Sequence, residues 1–319
     1  MSLALRARRR RNSADMIRTP SLPGLQRWAL AALLLSATVA TAQTRELRET
    51  VVAVHGRVVQ IAQAGPISGP TVVFENGLGE TLDSWRRVAP LLWDQVQLLA
   101  YNRPGYGRSA PLPATTGAAP AAASGGAVCA QLQQLLEATG AQPPYVLVGH
   151  SLGGLYVQAC ARRLPQQIAG LVLVDPVVRG QEALLRQHDH LGAALLGALQ
   201  GTLSHAASRE LRASAELQAE VAALPVFDRG PVLTLMASHD RSTESLAYKD
   251  ARRAAMREQT LQYPQGEVIV IDAGHMLTDE RPRAIAEAVL RVLHRDAPTP
   301  QAALAEPYSM QQPVLWRLR

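Results

Sequence analysis

Residues Tyr145–Arg163, YVLVGHSLGGLYVQACARR, constrain this chain more than any other stretch. Tyr145-Val146-Leu147-Val148 is an apolar run rich in β-formers and short enough for a buried strand. Leu152, Leu155, Tyr156, Ala159 and Cys160 then recur at spacings of three and four, the period of a helix with one buried face. Between strand and helix stands Gly149-His150-Ser151-Leu152-Gly153, a G-x-S-x-G sequence where the chain must turn sharply. The residue types have physical reasons. A serine hydroxyl attacks a carbonyl only if it projects clear of the backbone beside a base. Gly149 and Gly153 leave room for close strand–helix packing. The turn sets the backbone N–H of Leu152 at a helix N-terminus, where it can hold developing negative charge.

Residues 1–42 read as an export signal. Trp28–Val39 is an apolar run too short for a membrane span, preceded by arginines and followed by Ala40-Thr41-Ala42, an A-x-A pattern before Gln43. The alternative is an uncleaved N-terminal anchor, the one circumstance in which membrane contact is expected. A start at Met16 would give a signal of more ordinary length. The leader also explains the charge. The whole chain has Lys+Arg 32 and Asp+Glu 26. Seven of those arginines and one acid, Asp15, lie in residues 1–42, leaving 25 of each sign and no net charge beyond them. A nucleic-acid partner is therefore not expected. The two cysteines, Cys129 and Cys160, fall in predicted helices, read better as free core residues than as a bridge, and do not resemble a metal site. No cofactor is called for.

Beyond the leader, apolar strands alternate with helical patterns. Thr50–Val54 and Arg57–Ile61 flank His55-Gly56, a hairpin signal in which His55 is a turn residue. Thr71-Val72-Val73-Phe74 is a buried strand leading into Glu75-Asn76-Gly77-Leu78-Gly79. A helix is predicted over 83–93, capped by Asp83 or Ser84, with Trp85 packing the preceding loop. Val96–Ala100 is the next strand, followed by the glycine-spaced NRPGYGRS, residues 102–109, and a Pro/Ala/Gly/Ser-rich surface loop over 111–127. A helix over 128–138 precedes the central strand. After its helix comes the strand Ile168–Val174, ending at Asp175-Pro176. Residues 177–229 are Ala- and Leu-rich with helical spacing and no strand signal, and read as a small helical cap. Within them Leu191–Leu199 is expected to pack on the body, a lipid-facing lid being the sharper alternative. His188-Asp189-His190 reads as a solvated helix face rather than a metal cluster. Strands Pro231–Met236 and Val268–Ile271, helices over 244–258 and 282–293, and a tail over 297–319 complete the chain. This pattern predicts an α/β fold with a mostly parallel sheet, covered on both faces, in a core of residues 43–176 and 230–296.

A serine nucleophile needs a base, and the base an orienting acid. In an open α/β sheet such groups gather beyond the carboxyl ends of the strands. His275, in Asp272-Ala273-Gly274-His275-Met276, follows the last strand and is the candidate base. His150 is expected to point away because its neighbour Ser151 points in. His55, His188, His190, His205 and His294 do not follow core strands, whereas His239 does and is the rival base. Asp240, after the Pro231–Met236 strand, is the first candidate acid. Asp175, one strand earlier, is the alternative, its competing role being a structural carboxylate at the turn before Pro176. Asp272 is too near His275 in sequence to reach its ring easily.

FENGLG with Trp85 behind it, NRPGYGRS, GHSLGG, MASHD and AGHM together resemble the α/β-hydrolase superfamily, in its esterase- and lipase-like branch with a small cap. The resemblance runs over roughly residues 51–293. It implies the triad order Ser151, Asp240, His275, and accepts an acid at Asp175. It implies an oxyanion hole from the backbone N–H groups of Leu78 and Leu152. It implies a serine hydrolase cleaving a carboxylic ester or similar acyl bond of a small molecule, which the leader would export to the periplasm or beyond. Relatives that open epoxides or remove halides use an Asp nucleophile, so Ser151 argues against both. Perhydrolase or carbon–carbon bond chemistry on the same triad, or a catalytically silent binding protein, are the other readings. Many relatives carry His-Gly where this chain has Asn76-Gly77. A backbone donor there survives the change, and a polar role of that histidine does not.

Overall fold

A computed structural model describes residues 47–66, 70–112, 123–239 and 244–294. The leader, residues 113–122, Asp240 and the C-terminal tail lie outside the described residues. Eight strands form one sheet: β1 Arg48–Val54, β2 Arg57–Ala64, β3 Thr71–Glu75, β4 Gln97–Tyr101, β5 Tyr145–His150, β6 Ile168–Val174, β7 Val232–Ala237 and β8 Gly266–Ile271. Their spatial order is β1-β2-β4-β3-β5-β6-β7-β8. The first two strands pair antiparallel, and β2 meets β4 antiparallel; every later neighbour is parallel. The opening hairpin turns at His55 (φ 47) and Gly56 (φ 77), the left-handed pair that a two-residue type I′ turn needs.

Central strands read as continuous apolar runs because both of their faces are covered. Every residue of β3, β4, β5 and β7 is buried. Successive side chains go to opposite faces. Val72, Phe74, Val146 and Val148 enter one core, whereas Val73 and Leu147 enter the other. Helices α1 Gly125–Thr139 and α2 Leu152–Arg163 cover the second core. After β8 a single turn α7, Leu277–Glu280, leads into α8, Pro282–Leu293. Helix α8 buries Ala284, Ile285, Ala288, Val289 and Val292 against the first core, a three-and-four spacing that makes one apolar stripe.

The predicted helix over 83–93 is instead two 3₁₀ segments, Leu82–Trp85 and Ala89–Leu91. Pro90 has no N–H to donate and its ring crowds the carbonyl four residues back, so a regular α-helix cannot run through it. The cap is Thr81, with no side-chain bond to the backbone, and Asn102 takes over by accepting from the Leu82 N–H at 2.7 Å. Trp85 does pack the preceding loop: it stacks on Phe74 at 4.7 Å and donates to Asn76 Oδ1 at 2.8 Å.

Between β6 and β7 the described chain is helical: α3 Gln181–His188, α4 His190–Leu199 and α5 His205–Ala223. The last, α5, is fastened by polar groups. Glu220 accepts from the N–H groups of Gly125 and Gly126 at 2.8 and 3.0 Å, a carboxylate on the positive end of α1. Arg162 of α2 donates to the carbonyls of Val221 and Leu224. Within Leu191–Leu199 the side chains divide: Leu191 is 67% and Leu195 46% exposed, whereas Leu196 is half-buried and lines a cavity with Ser151. Of the neighbouring histidine pair, His190 is exposed and His188 half-buried. Between them Asp189 is buried; it caps α4 by accepting from Gly192 N–H at 2.8 Å and accepts from Ser245 N–H at 2.7 Å. Ser245 caps α6, Leu246–Leu261, the charged helix predicted over 244–258.

Candidate active site

Ser151 sits between β5 and α2 with φ 51 and ψ −117, a conformation costly for any residue with a Cβ and a mark of a strained functional turn. Its neighbours make the turn achievable. A Cβ on Gly149 would lie 2.5 Å from the Gly153 carbonyl oxygen, and one on Gly153 would lie 2.4 Å from that of Glu75. Neither site accepts a side chain. Ser151 is held by its backbone, with its N–H donating to Val174 O at 3.0 Å and its carbonyl accepting from the N–H groups of Gly154 and Val177.

Asp175 leaves the end of β6, also at positive φ (40). Its carboxylate is buried and fully engaged. Oδ1 accepts from Ala237 N–H at 3.1 Å, and Oδ2 meets Arg252 Nη1 at 3.1 Å and His275 Nδ1 at 2.6 Å. Burial alone would push its pKa up. The His275 hydrogen bond and the Arg252 charge outweigh that, so the pKa is lowered and Asp175 stays ionised. His275 follows β8 with its side chain 25% exposed. Ser151, Asp175 and His275 line one cavity of about 120 Å³. The larger cavity of about 560 Å³ is at the other end of the strands, beside Pro70, Pro144 and Ile168, which precede or begin β3, β5 and β6. It is not where groups converge in such a sheet.

The acid ranked first from sequence, Asp240, lies outside the described residues, and the carboxylate on the His275 ring belongs to Asp175. The rival base His239 reaches the same cavity, but its own partner is Asp272 at 2.6 Å, with the two side chains 62% and 71% exposed. A solvated pair of that kind orients a ring far less firmly than a buried carboxylate with three partners.

His150 does point away from Ser151's cavity, and it is not a bystander. Its ring is fully buried, with Nδ1 at 2.9 Å from Glu80 and Nε2 at 2.9 Å from the carbonyl oxygen of His275. With a carboxylate on one nitrogen and a carbonyl on the other, the surroundings favour a ring that donates from both, the protonated form. Burial would lower its pKa, but the hydrogen bond and charge of Glu80 raise it above the ordinary value. Glu80 responds in the opposite sense: burial pushes its carboxyl up, and the His150 hydrogen bond and charge bring it below the ordinary value. Glu80 also accepts from Gly77 N–H at 2.8 Å. The pair thus ties the loop after β3 to the loop that carries His275.

Arg103 holds the same β3 loop from beneath. Its guanidinium donates to Glu75 Oε1 at 2.6 Å, to Gly77 O at 2.9 Å and to both carboxylate oxygens of Glu210 in α5 at 2.8 Å. Tyr101 donates to Glu75, and Tyr106 to Glu210 at 2.7 Å. Burial raises the Glu75 pKa, with Arg103 pulling against it. Asn76 is a structural residue. Its Nδ2 donates to Tyr101 O at 2.7 Å and its Oδ1 accepts from Trp85. Leu78, fixed from both sides, lines a second cavity with Ser151 and Leu152. Sequence reasoning missed the partnership of Glu80, His150, Arg103 and Glu210. The only signal was that NRPGYG and the GLGE loop each carry a charge where a buried strand ends.

Residues 70–221 match the family model of the alpha/beta hydrolase fold. With that match and the strand order above, this chain has the α/β-hydrolase fold. A protein of Bacillus subtilis, the uncharacterized YqjL, is 32% identical over 111 residues, 35% of this chain and 41% of its own. Lipase LipV of Mycobacterium tuberculosis is 32% identical over 175 residues, 52% of this chain and 63% of its own. The matched stretch spans about two-fifths of the length of the first curated relatives. Among solved structures, a variant of the epoxide hydrolase of Vigna radiata overlays with a TM-score of 0.57 at 16% identity, covering 79% of this chain and all of that one. Such a likeness shows the fold alone.

Proposed function

We propose that this protein is a serine hydrolase that cleaves a carboxylic ester, or a similar acyl bond, by transferring the acyl group to water. The observation that carries the reading is the buried Asp175 carboxylate on His275 Nδ1 in a cavity shared with Ser151. His275 Nε2 takes the Ser151 proton as Oγ attacks the carbonyl carbon. The carbonyl oxygen gathers negative charge and accepts from the N–H groups of Leu152 and Leu78. His275 then gives its proton to the leaving oxygen, whose bond to carbon breaks, and an acyl-serine remains. Water, deprotonated by the same ring, attacks that ester and releases the acid, and Oγ regains its proton. Asp175 fixes the ring tautomer and balances the imidazolium. Asp240 is not required in this account. The serine at the turn favours an acyl-enzyme over the Asp-centred chemistry of epoxide opening, and the likeness to a named lipase points the same way. The Arg-rich leader and Ala40-Thr41-Ala42 support export of the chain that begins at Gln43.

A fluorophosphonate probe tests this without a guess at the substrate. Purified protein should label, and Ser151→Ala should abolish labelling. Labelling that persists in the variant, or folded wild-type protein that never labels, would reject the assignment.

A further inference from the structure

We propose that the substrate joins a short apolar acyl group to a small polar leaving group. The inference rests on the acyl-transfer reading and adds the shape of the substrate. Two cavities meet at Ser151. One, of about 130 Å³, is walled mainly by Leu78, Leu152, Val177, Leu185, Leu196 and Leu211, with Glu182, Ser214 and Gln218 completing its lining. The other, of about 120 Å³, is walled by Asp175, His239, Glu244, Tyr248, Arg252 and His275. Val177 and Gln181 stand at both.

The chemistry decides which half of the substrate each cavity takes. The leaving oxygen must depart toward the group that protonates it, so the cavity containing His275 holds the leaving group. The oxyanion must face the amides of Leu78 and Leu152. The remaining substituent on the carbonyl carbon is the acyl chain. It runs along the wall that carries those two residues and lacks the histidine, which is the more apolar of the two cavities.

Volume and polarity then set the class. An apolar cavity near 150 Å³ holds a benzene-sized molecule, so this one accommodates about four to six carbons. The leaving-group side offers carboxylates, a phenol and a guanidinium, with Val177 its one apolar side chain among the described residues. It suits an alcohol with further hydroxyls and not an alkyl tail, because an alkyl group there would desolvate those charges and give nothing back. In balance, water and ester yield one short carboxylic acid and one polar alcohol; the acyl carbon–oxygen bond is exchanged and nothing is oxidised or reduced.

The experiment measures kcat/KM for p-nitrophenyl esters from acetate to decanoate, then for glyceryl monobutyrate beside hexyl butyrate. Each added methylene that fits should raise kcat/KM up to about fourfold, with the maximum at butyrate or hexanoate and a fall of tenfold or more by decanoate. Glyceryl butyrate should exceed hexyl butyrate by at least tenfold. Leu196→Trp, on a half-buried position of α4, should move the optimum toward acetate by narrowing the cavity. An optimum at octanoate or longer, or a preference for the hexyl ester, overturns the proposal. So does a protein that labels with fluorophosphonate at Ser151 and cleaves none of the short esters. Protein that neither labels nor cleaves any ester instead removes the acyl-transfer reading beneath it.

Discussion

At Asp175 one carboxylate meets three donors, and its positive φ points it at the His275 ring. This geometry makes a sharp distinction between two aspartates. Replacing the orienting carboxylate with an amide leaves the shape and reverses the tautomer, which in the well-studied serine protease case costs about 10⁴ in turnover. Asp175→Asn should therefore lose three to four powers of ten in kcat on a short ester, and Asp240→Asn should stay within about threefold. The reverse result, with Asp240→Asn the damaging change, would return the acid to β7. Ser151 belongs to the same scale. Its strained φ persists because Gly149 and Gly153 let backbone pack on backbone around it.

Elements are joined by the His150–Glu80 pair, which bridges the end of β5, the loop after β3 and the loop after β8. Its pH dependence has a definite sign. The folded-state pKa of Glu80 lies below the ordinary 4.5, so its contribution is present above that value and lost as pH falls through the folded pKa. That of His150 lies above the ordinary 6.5, so its contribution is full below 6.5 and lost as pH rises through the folded pKa. The pair is worth most between those ordinary values. Glu80→Gln should cost about 3 kcal/mol of unfolding free energy near pH 5.5, and clearly less at pH 9. Urea titrations of both proteins at the two pH values give the comparison. An equal cost at both would mean His150 is neutral throughout.

Across the whole molecule the helical segment and the sheet share one buried charge centre. Arg103 binds Glu75 at the end of β3 and Glu210 on α5, with all three side chains almost fully buried. Arg103→Met should cost about 3–5 kcal/mol, since it strands two carboxylates away from water. Restoring part of that loss with Arg103→Met combined with Glu210→Leu would identify the unpaired charge as the cause, and no recovery in chemical denaturation would point to lost packing instead. Helices α3 and α4 are held differently. No residue of α3 is fully buried, although Leu184 packs against Val178, Met236 and Met256, and the ties of the two helices include the Asp189 cap with its bond to Ser245.

Period and composition by themselves determined the strands, the glycine-framed turn at Ser151, the closing helix at Pro282–Leu293 and the histidine after the last strand. These are local: a two-residue or 3.6-residue repeat reports which faces are buried, and a glycine pair reports a close approach. Residues 83–93 show the limit of that reading, because the apolar spacing was right while Pro90 and the Asn102 bond to Leu82 decided the backbone. The choice of Asp175, the charged state of His150, the Arg103 centre and the exposure of Leu191 and Leu195 belong to the tertiary structure. Each depends on groups far apart in the chain, 100 residues for Asp175 and His275 and 107 for Arg103 and Glu210. A charged residue's sequence neighbours do not reveal its partner, since the attraction that fixes it acts only once the strands have brought both groups out of water.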